Sequence, residues 1–230
     1  MVPKHVVIIP DGNRRWAKKN NKSLLEGYEA GISKIGDVLK WCKEEGIQIL
    51  TLWGFSTENT SRDKNEIGML MDLFDIKLRD ALANQEFEKE KIRVKVYGRR
   101  EFFPQNVRES LGKLEKATEK FDKYRINILL GYGGRKEIVD ACNAAISDLN
   151  SKKISEIDEA TFAKYLYTSD IPDPDIVIRT SGERRLSGIM PWQTTYSELF
   201  FCEKLWPEFT REDLKEILHE YEERERRFGR

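Results

Sequence analysis

The sequence predicts an α/β fold, a mostly parallel central sheet flanked by helices. Two patterns carry that reading: short apolar, β-branched bursts recur along the chain, and helical periodicity fills most of the stretches between them. A third observation concerns position. The first burst ends in a polar corner, and in open parallel sheets ligands sit beyond the carboxyl ends of the strands.

The elements follow in order. "HVVIIPDGNRRWAKKN" begins at His5, and Val6–Ile9 is an apolar β-branched run suited to a buried strand. Pro10-Asp11-Gly12-Asn13 stops it, because proline lacks a donor and Gly and Asn tolerate positive φ. Further strands are expected at Ile47–Trp53, Ile92–Tyr97, Ile126–Leu130, Ile176–Ile178 and Leu199–Cys202. Helices are expected near 24–44, 64–90, 105–121, 135–149, 159–166 and 211–227, the last capped by Thr210 with Asp213 in its first turn. In the 64–90 helix, Ile67, Met69, Leu70, Met71, Leu73, Phe74, Ile76 and Leu78 cover more than one apolar stripe. Such a helix is either buried on two sides, or packs one face on the sheet and lines an apolar channel with the other. Methionines would suit a channel with a flexible guest.

Whole-chain numbers bound the function. The 230 residues predict one domain, 1–230. Forty basic and forty acidic residues cancel, so no global field recruits nucleic acid, and any anion site must be a local cluster. Cys42, Cys142 and Cys202 are scattered without a CxxC pair, which argues for a reducing compartment and against a disulfide or zinc framework. No signal peptide and no run near the ~20 apolar residues of a membrane span are present, so a soluble, cytoplasmic protein is expected.

Two clusters read as phosphate sites. At Asp11, a Gly-Asn corner followed by Arg14 and Arg15 offers backbone and guanidinium donors, and Asp11 beside a phosphate implies a hard divalent cation between them. A solvated turn is the equal alternative for this segment alone. "IVIRTSGERRLS" places Arg179, Arg184, Arg185 and three hydroxyls after another strand. "WGFSTENTSR" adds Ser56, Thr57, Glu58, Asn59 and Arg62. Two phosphate sites and an apolar channel suggest an enzyme joining two phosphorylated lipids.

"HVVIIPDGNRRWAKK", "TLWGFSTENTSR", "YGGRKEIVDA", "DIVIRTSGERRLS", "WQTTYSELFF" and "RRFG", in that order, resemble the motif series of the cis-prenyltransferases, the undecaprenyl and dehydrodolichyl diphosphate synthases. The resemblance implies an Mg²⁺-dependent prenyltransferase that condenses an allylic prenyl diphosphate with isopentenyl diphosphate. It implies that Asp11 holds the metal and that Gly12, Asn13, Arg14, Arg15 and Trp16 cradle the allylic diphosphate. Ser56, Thr57, Glu58, Asn59 and Arg62 match a loop that closes on the substrates. Asn59 stands where the family places a proton acceptor, but a neutral amide is a poor base and reads better as a hydrogen-bond relay. Arg179, Arg185 and Ser187 match the isopentenyl diphosphate site, and Glu198 a second metal ligand. Arg227 and Gly229 match a tail that reaches a neighbouring subunit, which implies a homodimer; peripheral membrane contact for product release goes with such a lipid product.

Departures from the family pattern cluster on the allylic side. Leu24 replaces a usual arginine and Tyr28 a usual histidine; Thr60 replaces a tryptophan, Arg99 an aspartate and Pro191 an apolar residue. Two alternatives follow: the same fold running an irregular, branched coupling to a short product, or a low-activity protein that serves as partner subunit to an active homologue or simply binds isoprenoid diphosphates.

Overall fold

A computed structural model describes residues 2–83 and 85–224. Six strands form one sheet: β1 (His5–Ile9), β2 (Ile49–Ser56), β3 (Ile92–Tyr97), β4 (Tyr124–Tyr132), β5 (Ile176–Arg179) and β6 (Glu198–Phe201). Their order is β3-β4-β2-β1-β5-β6, and every pairing is parallel. Parallel strands are covered on both faces, which is why Val6–Ile9 reads as continuous apolar sequence. Val6 and Ile8 join a large core with Ile176 and Ile178, while Val7 and Ile9 face the other way with Val177, Tyr132, Ile189 and Met190.

The helices are α1 (Asn13–Lys19), α2 (Leu24–Glu44), α3 (Lys64–Ala83), α4 (Glu86–Lys89), α5 (Gln105–Thr118), α6 (Gly134–Asn150), α7 (Glu159–Ala163) and α8 (Arg211–Glu223). Ser23 and Glu26 form a capping box on α2, and Thr210 and Asp213 another on α8, where the sequence placed it. The expected 64–90 helix is two helices, with Asn84 between them outside the described residues. The expected helix to 227 ends at Glu223, where Arg224 takes an extended backbone; residues 225–230, with Arg227 and Gly229 among them, lie outside the described residues. β2 starts at Ile49 instead of Ile47, because the Ile47 N–H bonds Cys42 O at 2.8 Å and continues the turn that ends α2.

Strand order fixes where a site can form. β1 lies between β2 on one side and β5 on the other, so the chains leaving β1 and β5 part at a topological switch point. Asp11 and Arg179 meet there.

Candidate active site

Gly12 takes φ +113° and turns the chain from β1 into α1; a Cβ there would stand 2.9 Å from Leu205 Cδ2. Asn13 needs no positive φ, because it opens α1 as a helical residue. Its side chain lies on α2 at Gly31, where a Cβ would stand 2.3 Å from Asn13 Oδ1, an oxygen that is buried without a partner.

Arg179 ends β5 buried, and its guanidinium joins the two strand ends. Nη2 donates to Asp11 Oδ2 at 2.8 Å, while Nη1 donates to Arg185 O at 2.6 Å and Ser187 Oγ at 2.8 Å. Its Nε is buried without a partner. Arg15 donates to Ser181 Oγ at 2.6 Å and lies 3.6 Å from Asp11 Oδ1. Burial pushes the Asp11 carboxyl up, but the hydrogen bond and charge of Arg179, helped by Ser181 and Arg15, hold it below the usual carboxylate range. Between residues 181 and 190, Ser181, Gly182, Ser187, Gly188 and Met190 all have positive φ, so this loop is bent tightly around the Arg179 side chain.

The loop after β2 is a 3-10 turn, Thr57–Ser61, closed by reciprocal bonds between Ser56 and Asn59. Asn59 Oδ1 accepts the Ser56 N–H at 3.0 Å, which leaves its amide nitrogen as a donor. Arg62 donates to the Tyr28 hydroxyl at 3.2 Å, and that hydroxyl donates to Glu66 Oε1 at 2.6 Å. Burial, reinforced by Glu66, pushes the Tyr28 phenol up.

These groups rim one cavity of about 1200 Å³. Asp11, Gly12, Asn13, Arg14, Arg15, Ser56, Glu58, Asn59, Arg62, Arg179 and Ser187 all line it. Its walls then become apolar. A stripe on α2 (Ile32, Ile35, Leu39) and another on α3 (Leu70, Phe74, Leu78, Ala81) face Gly54, Ile128, Ile126, Val94 and Ile92 of the sheet. From the level of Ser56 and Tyr132 to that of Ile92 and Tyr124 is eight residues of strand, about 26 Å. The channel half of the α3 reading therefore holds, while the opposite face packs on α5 and not on the sheet. Its methionines do not line the channel: the cavity-facing stripe runs 70-74-78-81, and Met69 and Met71 fall off it.

Four of the expected site residues stand elsewhere. Trp16 and Thr57 do not line the cavity; Thr57 packs on Gly133, whose Cβ would stand 2.4 Å from Thr57 Oγ1. Arg185 lies outside the lining and pairs with Glu183. Glu198 opens β6 level with Ile176 and hence with Val6, so it sits about 15 Å below Asp11 along the strands. It is ion-paired with Arg224 at 2.6 Å. One chain does not bring Asp11 and Glu198 together. Conversely, Glu66, Glu183 and Arg135 stand at or beside the cavity and drew no attention in the sequence. A carboxylate four residues after Arg62 was the available signal for Glu66.

The family described as "Putative undecaprenyl diphosphate synthase" matches residues 9–229. The chain belongs to this family, the cis-prenyltransferases. It is a transferase of prenyl groups. Over its whole length it is 47% identical to the "Tritrans,polycis-undecaprenyl-diphosphate synthase (geranylgeranyl-diphosphate specific)" of Pyrococcus horikoshii, covering 88% of that protein. It is 44% identical to the "Isoprenyl transferase" of Thermotoga maritima, covering 99% of this chain and 97% of the relative. Its fold superposes with a TM-score of 0.95 on lavandulyl diphosphate synthase from Lavandula x intermedia, crystallised with dimethylallyl diphosphate, at 31% identity over 100% of this chain and 99% of that one.

Proposed function

We propose that this cis-prenyltransferase elongates an allylic prenyl diphosphate with isopentenyl diphosphate and stores the growing chain between α2, α3 and the sheet. One observation carries the reading: the arginine-rich rim opens directly into an apolar cavity, about 1200 Å³ in all and lined along about 26 Å of strand from the rim at Ser56 to Ile92, larger than an ordinary small-molecule pocket needs. A short branched product would not use that length. The Pyrococcus relative is described as geranylgeranyl-diphosphate specific, so a long allylic primer is the preferred one proposed here.

Asp11 fits a magnesium site. Its carboxylate faces the cavity, and among the described residues no cluster of three or more His, Cys, Asp or Glu converges to form an all-protein cage. Mg²⁺ is commonly held by one or two carboxylates together with substrate phosphates, and when bound it supplies neutralisation of diphosphate charge. The second-ligand role of Glu198 is proposed across a subunit boundary, together with the homodimer.

In this reading Arg14, Arg15 and Arg62 hold the allylic diphosphate and stabilise the charge it gains as the carbon–oxygen bond breaks. Arg179 fixes Asp11 and shapes the second diphosphate site at Ser187, with Arg185 turning in from its Glu183 partner. The apolar wall excludes water from the allylic cation, and the alkene of the five-carbon partner attacks it. The proton then lost goes to a diphosphate oxygen. The free amide nitrogen of Asn59 donates to such an oxygen and orients it, which suits a relay rather than a base.

Labelled isopentenyl diphosphate, incubated with allylic diphosphates of ten, fifteen and twenty carbons, tests this. Multi-step products, formed best from the longest primer, are expected. A single short branched product would favour irregular coupling, and no product with any primer would favour a binding or partner role.

A further inference from the structure

Glu66 has a side chain only 8% exposed, stands outside every motif position named above, and is surrounded by the groups of the allylic rim. Its Oε1 accepts from the Tyr28 hydroxyl at 2.6 Å and lies 3.5 Å from Arg62 Nη1; its Oε2 lies 3.8 Å from Arg14 Nη2. The three partners come from α2, from the end of the Thr57–Ser61 turn and from α1, and each of them lines the cavity. Asp63 Oδ1 accepts the backbone N–H groups of Asn65 and Glu66 at 2.9 and 3.2 Å, so the carboxylate projects from a capped, rigid helix start.

Two guanidiniums aimed at one diphosphate repel each other before it arrives. A buried carboxylate between them removes that repulsion and uses only a fraction of the five donors each carries. The Tyr28 hydroxyl has one proton, and it points at Glu66. Its oxygen accepts from Arg62, so tyrosine at this position is a post for the arginine and not a proton donor to the leaving group.

We infer that Glu66 is a positioning residue for the allylic diphosphate: through Tyr28 it ties the turn that carries Arg62 to α2, and it presents Arg62 and Arg14 as one preformed clamp. The inference rests on the prenyl-transfer reading above and adds to it a carboxylate that makes no contact with the diphosphate itself. An ion pair that merely stabilises the fold would shift the thermal midpoint and leave the two substrates equally affected. A clamp organiser affects one substrate.

Glu66→Gln keeps the shape and the tyrosine contact and removes the charge. Its KM for the allylic diphosphate should rise about tenfold, the factor expected from a charge-assisted contact, with the KM for isopentenyl diphosphate within about twofold. Binding of a non-ionisable, thio-linked farnesyl diphosphate should weaken by a similar factor with no turnover involved. Equal changes in both KM values, or none in either, would overturn the inference. Tyr28→Phe leaves the carboxylate between its arginines and should raise the allylic KM less than Glu66→Gln does; the reverse ranking would make the phenol the organiser and sink the role given to Glu66. Should the unmodified chain turn over no pair of substrates yet bind the thio-linked analogue, more weakly in Glu66→Gln, the proposed function would fall and the clamp would stand.

Discussion

The Asp11 carboxylate lies 2.8 Å from Arg179 and 3.6 Å from Arg15, yet remains on the cavity surface, so it is ionised and available at neutral pH. If it carries magnesium as proposed, excess chelator should abolish turnover, and Asp11→Ala should lower kcat/KM by about two to three powers of ten, measured at saturating metal. Full activity with chelator present would overturn the metal role. At the other end of β1, His5 is fully buried. Its Nδ1 donates to Pro172 O at 2.8 Å, so Nε2 accepts from Thr51 Oγ1 at 2.7 Å, and Asn127 donates to that hydroxyl at 3.0 Å. The chain of bonds suits neutral imidazole. Burial, the largest influence, lowers the His5 pKa from 6.5 to about 4. An unfolded chain therefore takes up a proton that the native one refuses. The stabilising contribution is complete above pH 6.5 and is lost as the pH falls toward 4, by about 3 kcal/mol in all. Urea midpoints measured at pH 7.5 and 4.5 should drop more for the unmodified protein than for His5→Gln. Residue chemistry of this kind was half legible in the sequence: Asp11 and the arginines stand beside a strand end. Nothing in a sequence pattern tells that Glu66 is buried or that Arg185 pairs with Glu183.

Elements were easier to read than their ends. Val6–Ile9 was visible as an unbroken β-branched run suited to a strand buried on both faces, and Ile92–Tyr97 because its apolar residues alternate with Arg93 and Lys95, as suits a half-covered edge strand. The break after Ala83 was not, since no glycine or proline marks it. The stripe of α3 was ambiguous for a physical reason: a helix between sheet and α5 buries a second face, and there Asp75 accepts from Ser110 at 2.8 Å and Asn106 at 3.1 Å. Only three-dimensional packing separates that face from the channel face. The channel itself makes a prediction at Gly54. A Cβ there would stand 2.8 Å from Leu130 Cδ2 and 3.3 Å from Ile128 Cγ2, both movable side-chain ends that line the cavity. Gly54→Leu should push them into the channel and shorten the products, seen by chromatography of the dephosphorylated chains. An unchanged length distribution would mean that the growing chain does not pass Gly54.

At the scale of the whole molecule, the proposed homodimer has an apolar face available to it. On α6, Val139 is 52% exposed and Ile146 49%, with Cys142 exposed between them, a stripe at helical spacing on the side away from the helix's own core contacts at Ala141 and Ala145. Glu198 offers a second argument. It lies in the edge strand, too far below Asp11 to reach the same cation, so its matched role as a ligand needs a second chain. The tail residues Arg227 and Gly229 were assigned to a neighbour's site on the same grounds of resemblance. Light scattering on the purified protein should therefore give the mass of two chains. Val139→Glu with Ile146→Glu should give one chain, since two carboxylates facing their symmetry mates would have to be buried unpaired. If the subunits complete each other's sites, turnover should fall with dimer content across a dilution series. Unaltered mass in the double variant would move the interface off α6. A fully active monomer would remove the reason for assigning Glu198, Arg227 and Gly229 to catalysis.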